Sequence, residues 1–276
     1  MRRKFLSPAG WLVCLSLACP ASSKAEPVAV RFAEGLAHGF LVLKSLDGKT
    51  LASGDLIQNV RGGRVTSQVI FRFSDGSLHD ETAVFSQNDV LRLLSYHLVQ
   101  RGPSFRWTLD MTMNTETGQV VVRHREKGDE DDVENSKLDL APDVANGMVI
   151  PVLKNLGAKT NTATASFVAA TPDPRAVKLA ITDAGSESFS IAGSSRRATH
   201  YVIKAEIGGL AGFLAPLVGK QPPDTHIWIL EGPAPAFVKS EGPLFYGGPI
   251  WRIELVSPTW MRTTPKSQQR LAPGSR

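Results

Sequence analysis

The chain is poor in cysteine, in long apolar runs and in catalytic signatures, and each shortage removes a class of explanation. Only two cysteines occur in 276 residues, Cys14 and Cys19, and both fall within the first 25. The rest of the chain therefore has no disulfide and no thiol chemistry, and a core alone must hold it. Beyond residue 25 no apolar stretch reaches the roughly 20 residues that a membrane-spanning helix needs. An excess of one charge is missing too. Of 31 basic residues, four lie in the first 25 beside no acidic one, which leaves 27 basic against 26 acidic. That balance gives no electrostatic case for nucleic acid as a partner. No serine sits in a Gly-x-Ser-x-Gly setting. The glycine pairs at 62, 208 and 247 do not form a phosphate-binding loop between a strand and a helix.

What is present starts with MRRKFLSPAGWLVCLSLACPASSKA. Arg2, Arg3 and Lys4 form a basic start, Trp11 to Ala18 an apolar run, and Ser23 and Ala25 the small residues of a cleavage site. This predicts a signal peptide over residues 1–25, cleaved near Ala25, and a periplasmic or extracellular protein. An uncleaved anchor, or lipid attachment at Cys19 in Ser16-Leu17-Ala18-Cys19, are the alternatives. A single β-rich domain is expected over residues 26–262, with a polar, disordered tail over 263–276.

Alternation of apolar and polar residues dominates the domain. The runs His38 to Leu46 and Thr50 to Val60 flank Asp47-Gly48, and a second pair flanks Asp75-Gly76, the residues of a tight hairpin. With Asp75 and Gly76 as a two-residue loop, Phe73 faces Leu78 and Phe71 faces Asp80. One face then carries Phe71, Phe73, Leu78, Val69 and Val84 together with Asp80 and Thr82, and the other His79, Glu81, Gln68 and Arg72. The run after Asp89 is apolar on both faces, with Leu91, Leu93 and Val99 on one and Leu94, Tyr96 and Leu98 on the other. Such a strand is covered on both sides. Further strands are expected over 104–113, 119–125, 160–170, 177–183, 186–192, 196–207, 225–230, 236–241 and 249–256. The acidic stretch EKGDEDDVEN reads as a solvated turn, since it lacks the glycine and distant glutamate of a calcium loop.

Two segments break the pattern. Leu140 to Gly157 carries Val144, Met148, Val152 and Leu156 at helical spacing, with Asp143 as a cap and Pro151 as a kink. Gly208 to Lys220, GGLAGFLAPLVGK, is short and apolar; a lid, a membrane-touching loop and a buried turn all fit it. The expected fold is mainly β: a large curved antiparallel sheet or incomplete barrel covered by one or two short helices.

Few residues point to chemistry. Asp80, placed among apolar neighbours, would be paired, raised in pKa or turned to a wet cavity. His79 and Glu81 share the opposite face without a third metal ligand. His97 reads as a hydrogen-bonded core histidine, and His226 lies near Asp224. No cofactor and no metal are expected.

The stretches NGMVIPVLKNLG, GFLAPLVGKQPPDTHIWI and EGPLFYGGPIWRIEL resemble the DUF3108-type exported bacterial proteins and, more remotely, the lipoprotein carriers LolA and LolB. That resemblance, over roughly 36–258, implies a half-barrel whose concave side is covered by short helices. The carriers hold acyl chains there. The leading expectation is a non-enzymatic protein that binds an apolar or amphipathic ligand in the concavity, lined by Phe71, Asp80, Met148, Val152, Leu210, Phe213 and Leu214. The alternatives are an envelope scaffold or interaction protein, and a hydrolase joining Asp80 to a nearby histidine.

Overall fold

Buried rows on one side of a single sheet organise the molecule. The computed structural model describes residues 26–126, 129–157, 160–191, 193–206 and 222–256. Its strands are β1 (Ala37–Ser45), β2 (Thr50–Arg61), β3 (Arg64–Phe73), β4 (Leu78–Gln87), β5 (Leu91–Arg101), β6 (Trp107–Asn114), β7 (Gln119–Glu126) and β8 (Asp132–Lys137). One helix, α1 (Val149–Asn155), follows. The chain then forms β9 (Thr162–Ala169), β10 (Arg175–Ile191), β11 (Ser194–Glu206), β12 (Thr225–Leu230), β13 (Phe237–Pro243) and β14 (Ile250–Leu255). The fourteen strands of the described residues join one sheet in the order β8-β7-β6-β5-β4-β3-β2-β1-β14-β13-β12-β11-β10-β9, every pair of neighbours antiparallel. The expected mainly-β fold is the one observed. Two meanders run outwards from a central seam, β1 against β14, and among the described residues β8 and β9 stay unpaired with each other.

The sheet is strongly curled. The Gln100 side chain on β5 donates to the Leu244 carbonyl just after β13, at 3.3 Å. Those strands stand six places apart, about 29 Å if the sheet were flat. Phe105 and Phe245 meet the same way, ring centres 5.2 Å apart, and Phe73 and Trp251 at 5.5 Å. These aromatics close one end of the concavity.

The other end is closed by the segment that crosses from edge strand β8 to edge strand β9. Asn146, fully buried, donates to the Val168 carbonyl and accepts from the Val168 N–H, both at 2.8 Å, so its amide takes the place of a neighbouring strand on the β9 edge. The helix that follows is shorter than its spacing predicts. Asp143 does not cap it; its carboxylate accepts from Ser166 at 2.8 Å. Helical turns begin at Val149, so Pro151 falls in the first turn, where its missing N–H has no intrahelical partner to lose. Met148, Val152 and Leu153 are buried against the sheet. The N-terminal strap lies alongside. Asn155 accepts from the N–H groups of Arg31 and Phe32 at 2.6 and 2.7 Å and donates to the Phe32 carbonyl at 3.2 Å and to that of Pro151 at 2.8 Å.

Four sequence expectations are corrected. Both Asp-Gly hairpins have three-residue loops. Phe73 pairs with Ser77 around Ser74-Asp75-Gly76, and Ser45 with Lys49 around Leu46-Asp47-Gly48. Gly76 and Gly48 adopt φ of 85° and 92°, the left-handed residue that ends such a loop. Asp75 tightens the turn by accepting the Ser77 N–H at 2.9 Å. The extra residue slips β4 by one against β3, so Phe71 faces His79 and Ile70 faces Asp80. A slip of one exchanges the faces of a whole strand. Second, β5 is not apolar on both sides. The register shifts between Val84 and Phe85 on the partner strand, leaving Leu94 as a bulge. Leu91, Leu93, Tyr96 and Leu98 therefore all point into the core, and His97 points out of it. Third, part of the acidic turn is strand: β8 is an exposed, charged edge. The strands expected over 177–183 and 186–192 are one, β10, interrupted by an irregularity between Asp183 and Ser186.

Asn155 ties α1 to the strap through four backbone groups in a site it fills almost completely. Asn155→Ala should cost about 2–4 kcal/mol, one or two buried groups left unpaired. Urea unfolding gives that figure, and hydrogen exchange at Arg31 and Phe32 should accelerate first; unchanged exchange there would show that the strap is held elsewhere.

Candidate functional site

Because directly opposed residues share a face, the register lays out the concave side as rows running across the strands. One row is Leu41, Gly54, Phe71, His79, Gln100 and Leu109. Every member is buried. Its neighbour towards the crossing segment holds Ser67, Ala83, Tyr96, Met113 and Val120, also buried. Between them runs Gly39, Leu56, Val69, Glu81, Leu98 and Met111. Leu98 and Met111 are buried, but Gly39, Leu56, Val69 and Glu81 are only partly so. Leu255 on β14 pairs with Leu41 and so ends the first row, but it is 46% exposed and leans over Gly39, 3.3 Å from where a Cβ would stand there.

The result is a strip of partly exposed residues, a slot between two covered rows, across five strands of the concave side. Its floor is apolar, from Leu255 through Gly39 and Leu56 to Val69. The aromatics Phe105 and Phe245 cover the row on one flank. Gly147 covers the other: a Cβ on it would lie 2.7 Å from Ala83 and 3.4 Å from Tyr96. At the inner end the Tyr96 hydroxyl donates to Glu81 Oε1 at 2.8 Å. Burial pushes the Glu81 carboxyl above the usual range, opposed by that hydrogen bond. Burial, together with the adjacent Glu81 charge, pushes the Tyr96 hydroxyl well up.

His79, one row away, is enclosed. Gln100 donates to its Nδ1 at 3.1 Å, which places the ring hydrogen on Nε2, and that atom is buried without a hydrogen-bond partner. Phe105 stacks on it at 6.5 Å and Phe71 tilts against it at 6.1 Å. Burial alone lowers its pKa to about 3.

The expected lining residues divide. Phe71, Met148 and Val152 belong to the buried cluster that supports the slot. Asp80 lies on the opposite, convex face, where Gln68 donates to it at 2.9 Å. Leu210, Phe213 and Leu214 lie outside the described residues. The residues that line the slot, Leu56, Val69, Glu81 and Leu255, were not singled out as lining from the sequence. His97 is exposed and paired with Asp110 at 3.0 Å. The other carboxylate-paired histidines use Asp55, Asp132 and Glu187, so among the described residues no histidine contact brings Asp80 into a catalytic pair.

A second cluster sits on the convex face. His200 and His226 face each other at 2.9 Å, with ring centres 5.1 Å apart. Both nitrogens therefore lie near the line joining the rings, the geometry of a shared hydrogen bond rather than of ligands converging on a metal. His200 stacks on Trp228 at 4.2 Å, and Lys239 lies 3.9 Å from the same indole. Burial lowers the His200 pKa, opposed by Glu187. Among the described residues no group of three or more His, Cys, Asp or Glu side chains is disposed to hold a metal, and no helix is long and apolar enough to cross a membrane. The chain matches no protein-family model, and no significant match is found among curated proteins or solved structures.

The His79 environment fixes a sign. Its folded pKa lies below the unfolded value near 6.5, so the stability it contributes is complete above pH 6.5 and falls as the pH drops towards 3. Between pH 7 and 5 this single group should remove about 2 kcal/mol. Glu81, shifted upwards, works in the opposite direction. Urea unfolding across that interval should show His79→Gln losing less stability than the unsubstituted protein by about that amount. Equal losses would place the proton uptake elsewhere.

Proposed function

We propose that this is an exported, non-enzymatic protein that binds an apolar or amphipathic, lipid-like ligand on the concave side of its sheet. The observation that carries the reading is the slot. Two flanking rows of the same face are sealed, one by aromatics and one by the crossing segment, while a transverse strip of Leu255, Leu56 and Val69 keeps apolar surface in reach of solvent. Four strand-to-strand steps separate β14 from β4, about 19 Å, enough for an extended chain of a dozen carbons. Burying a methylene is worth about 0.8 kcal/mol, so such a chain has ample driving force on an apolar floor. Gly39 keeps that floor low: a Cβ there would lie 3.3 Å from the Leu255 side chain. Export is the reading of residues 1–25, and a lipid-like ligand is the kind of cargo an envelope compartment supplies.

A second reading, an envelope scaffold, is favoured by a different observation. Phe40 (49% exposed) and Val256 (42%) stand together on the convex face, where the Val256 N–H bonds the Phe40 carbonyl. That pair would serve a protein partner rather than a small ligand.

Native mass spectrometry of the purified protein, and titration with the uncharged dye N-phenyl-1-naphthylamine after delipidation, separate the two. The ligand reading expects dye binding that Leu56→Lys weakens at least tenfold, with unfolding stability changed by only about 1–2 kcal/mol because Leu56 is partly exposed already. A protein that carries no lipid and binds no dye would overturn it and leave the scaffold.

A further inference from the structure

The slot is apolar except at one end, and the chemistry of that end is specific. Glu81 offers two carboxyl oxygens. Oε1 is engaged by the Tyr96 hydroxyl. Oε2 has no hydrogen-bond partner among the described residues, yet is not counted among the enclosed, unpaired atoms. Its neighbours across the row, Val69 and Leu98, are aliphatic. No lysine or arginine of the described residues pairs with it, whereas Glu34, Glu187, Glu241 and Glu254 each have a cationic or histidine partner. His79, two residues along the same face, is kept neutral by its burial. Among the described residues, then, Glu81 is an acceptor set in an apolar wall without a counter-charge.

Resting on the reading of the slot as a ligand site, we infer that it takes an amphiphile whose head is a hydrogen-bond donor, an ammonium group above all, and rejects carboxylate and phosphate heads. An ammonium group would supply the missing counter-charge at Oε2 while its chain lay over Val69, Leu56 and Gly39. A charge-assisted hydrogen bond in so sheltered a place is stronger than its equivalent in water. The upward shift of the Glu81 carboxyl agrees, since it records how little now stabilises the ionised form. A hydroxyl head would satisfy the same oxygen without the charge. An anionic head would meet a like charge, or force a proton onto it, with no cation among the described residues paired at that end. Tyr96 acts as a positioning residue, holding the carboxyl in one orientation.

The test uses the full-length secreted protein and three probes of one chain length, dodecylamine, dodecanol and dodecanoate, kept below micelle formation. Each competes with N-phenyl-1-naphthylamine at pH 7.5. Dodecylamine should displace the dye at a concentration at least tenfold below dodecanoate, with dodecanol between them. Glu81→Gln, close in shape, should bring amine and acid to within about twofold without abolishing dye binding. Tyr96→Phe should shrink the preference, bringing the competing concentrations of dodecylamine and dodecanoate closer together. If the dye binds and dodecanoate competes as well as dodecylamine, the head-group inference fails and the ligand site stands. If the preference survives in Glu81→Gln, Glu81 does not set it and the inference fails likewise. If the dye itself does not bind, the site fails and takes the inference with it. The comparison of probes on the unsubstituted protein needs no variant to fold.

Discussion

Fourteen strands can share one core only if their sheet bends until its two halves face each other. Everything else in the structure depends on that bending. Residues six strands apart meet at 3.3 Å, and a single buried cluster draws on both halves and on the helix. Curling removes apolar surface from water without closing the sheet, so two edges remain. The crossing segment between β8 and β9 deals with both consequences. It covers one end of the concavity, and through the Asn146 amide it satisfies backbone groups on the β9 edge that a missing strand would otherwise have met. The opposite edge, β8, is left to its charges: Asp132, Glu134 and Lys137 make it a poor template for another strand.

The slot follows from incomplete filling. The crossing segment comes down on Ala83 and Tyr96 and Leu244 on Gln100, and the row between them stays partly exposed. The row left between them is the one that carries Glu81. A carboxyl there disfavours full closure, because burying it dry would cost more than a half-open position does. Its neighbours on the same strand, His79 and Ala83, could be buried because one titrates far below neutrality and the other is apolar.

Most strands were legible in the sequence because alternation is a local signal, and so were both hairpins. What was not legible depends on counting. Asp75-Gly76 can close a loop of two residues or end a loop of three, and only the second places His79 and Glu81 inwards and Asp80 outwards. The bulge at Leu94 imitates a two-faced strand, since a shift of phase and apolarity on both faces leave the same letters. Each ambiguity is worth one residue, and one residue is a whole face of a strand. The helix was legible in place but not in length, as Met148 and Val152 carry its period while Asp143 spends its carboxylate on Ser166. The slot could not be read at all. It exists through the curl, and no local pattern encodes which row two distant covers leave bare.

The central seam has a consequence for how the molecule comes into being. β1 is among the first strands made and β14 the last, and they are neighbours at the middle of the sheet. Each meander can zip up on its own from short-range hairpins, but the partnership of Leu43 with Ile253 spans some 210 positions of sequence. Long-range pairings are the slow ones, because the ends must find each other against the entropy of the chain between them. Until then both halves expose an unpaired edge at what will be the centre, each apolar on one side. A chain whose two half-sheets formed before that seam would carry two adhesive edges until the late keystone closed, and it would be most in need of protection from its own copies during that wait rather than afterwards.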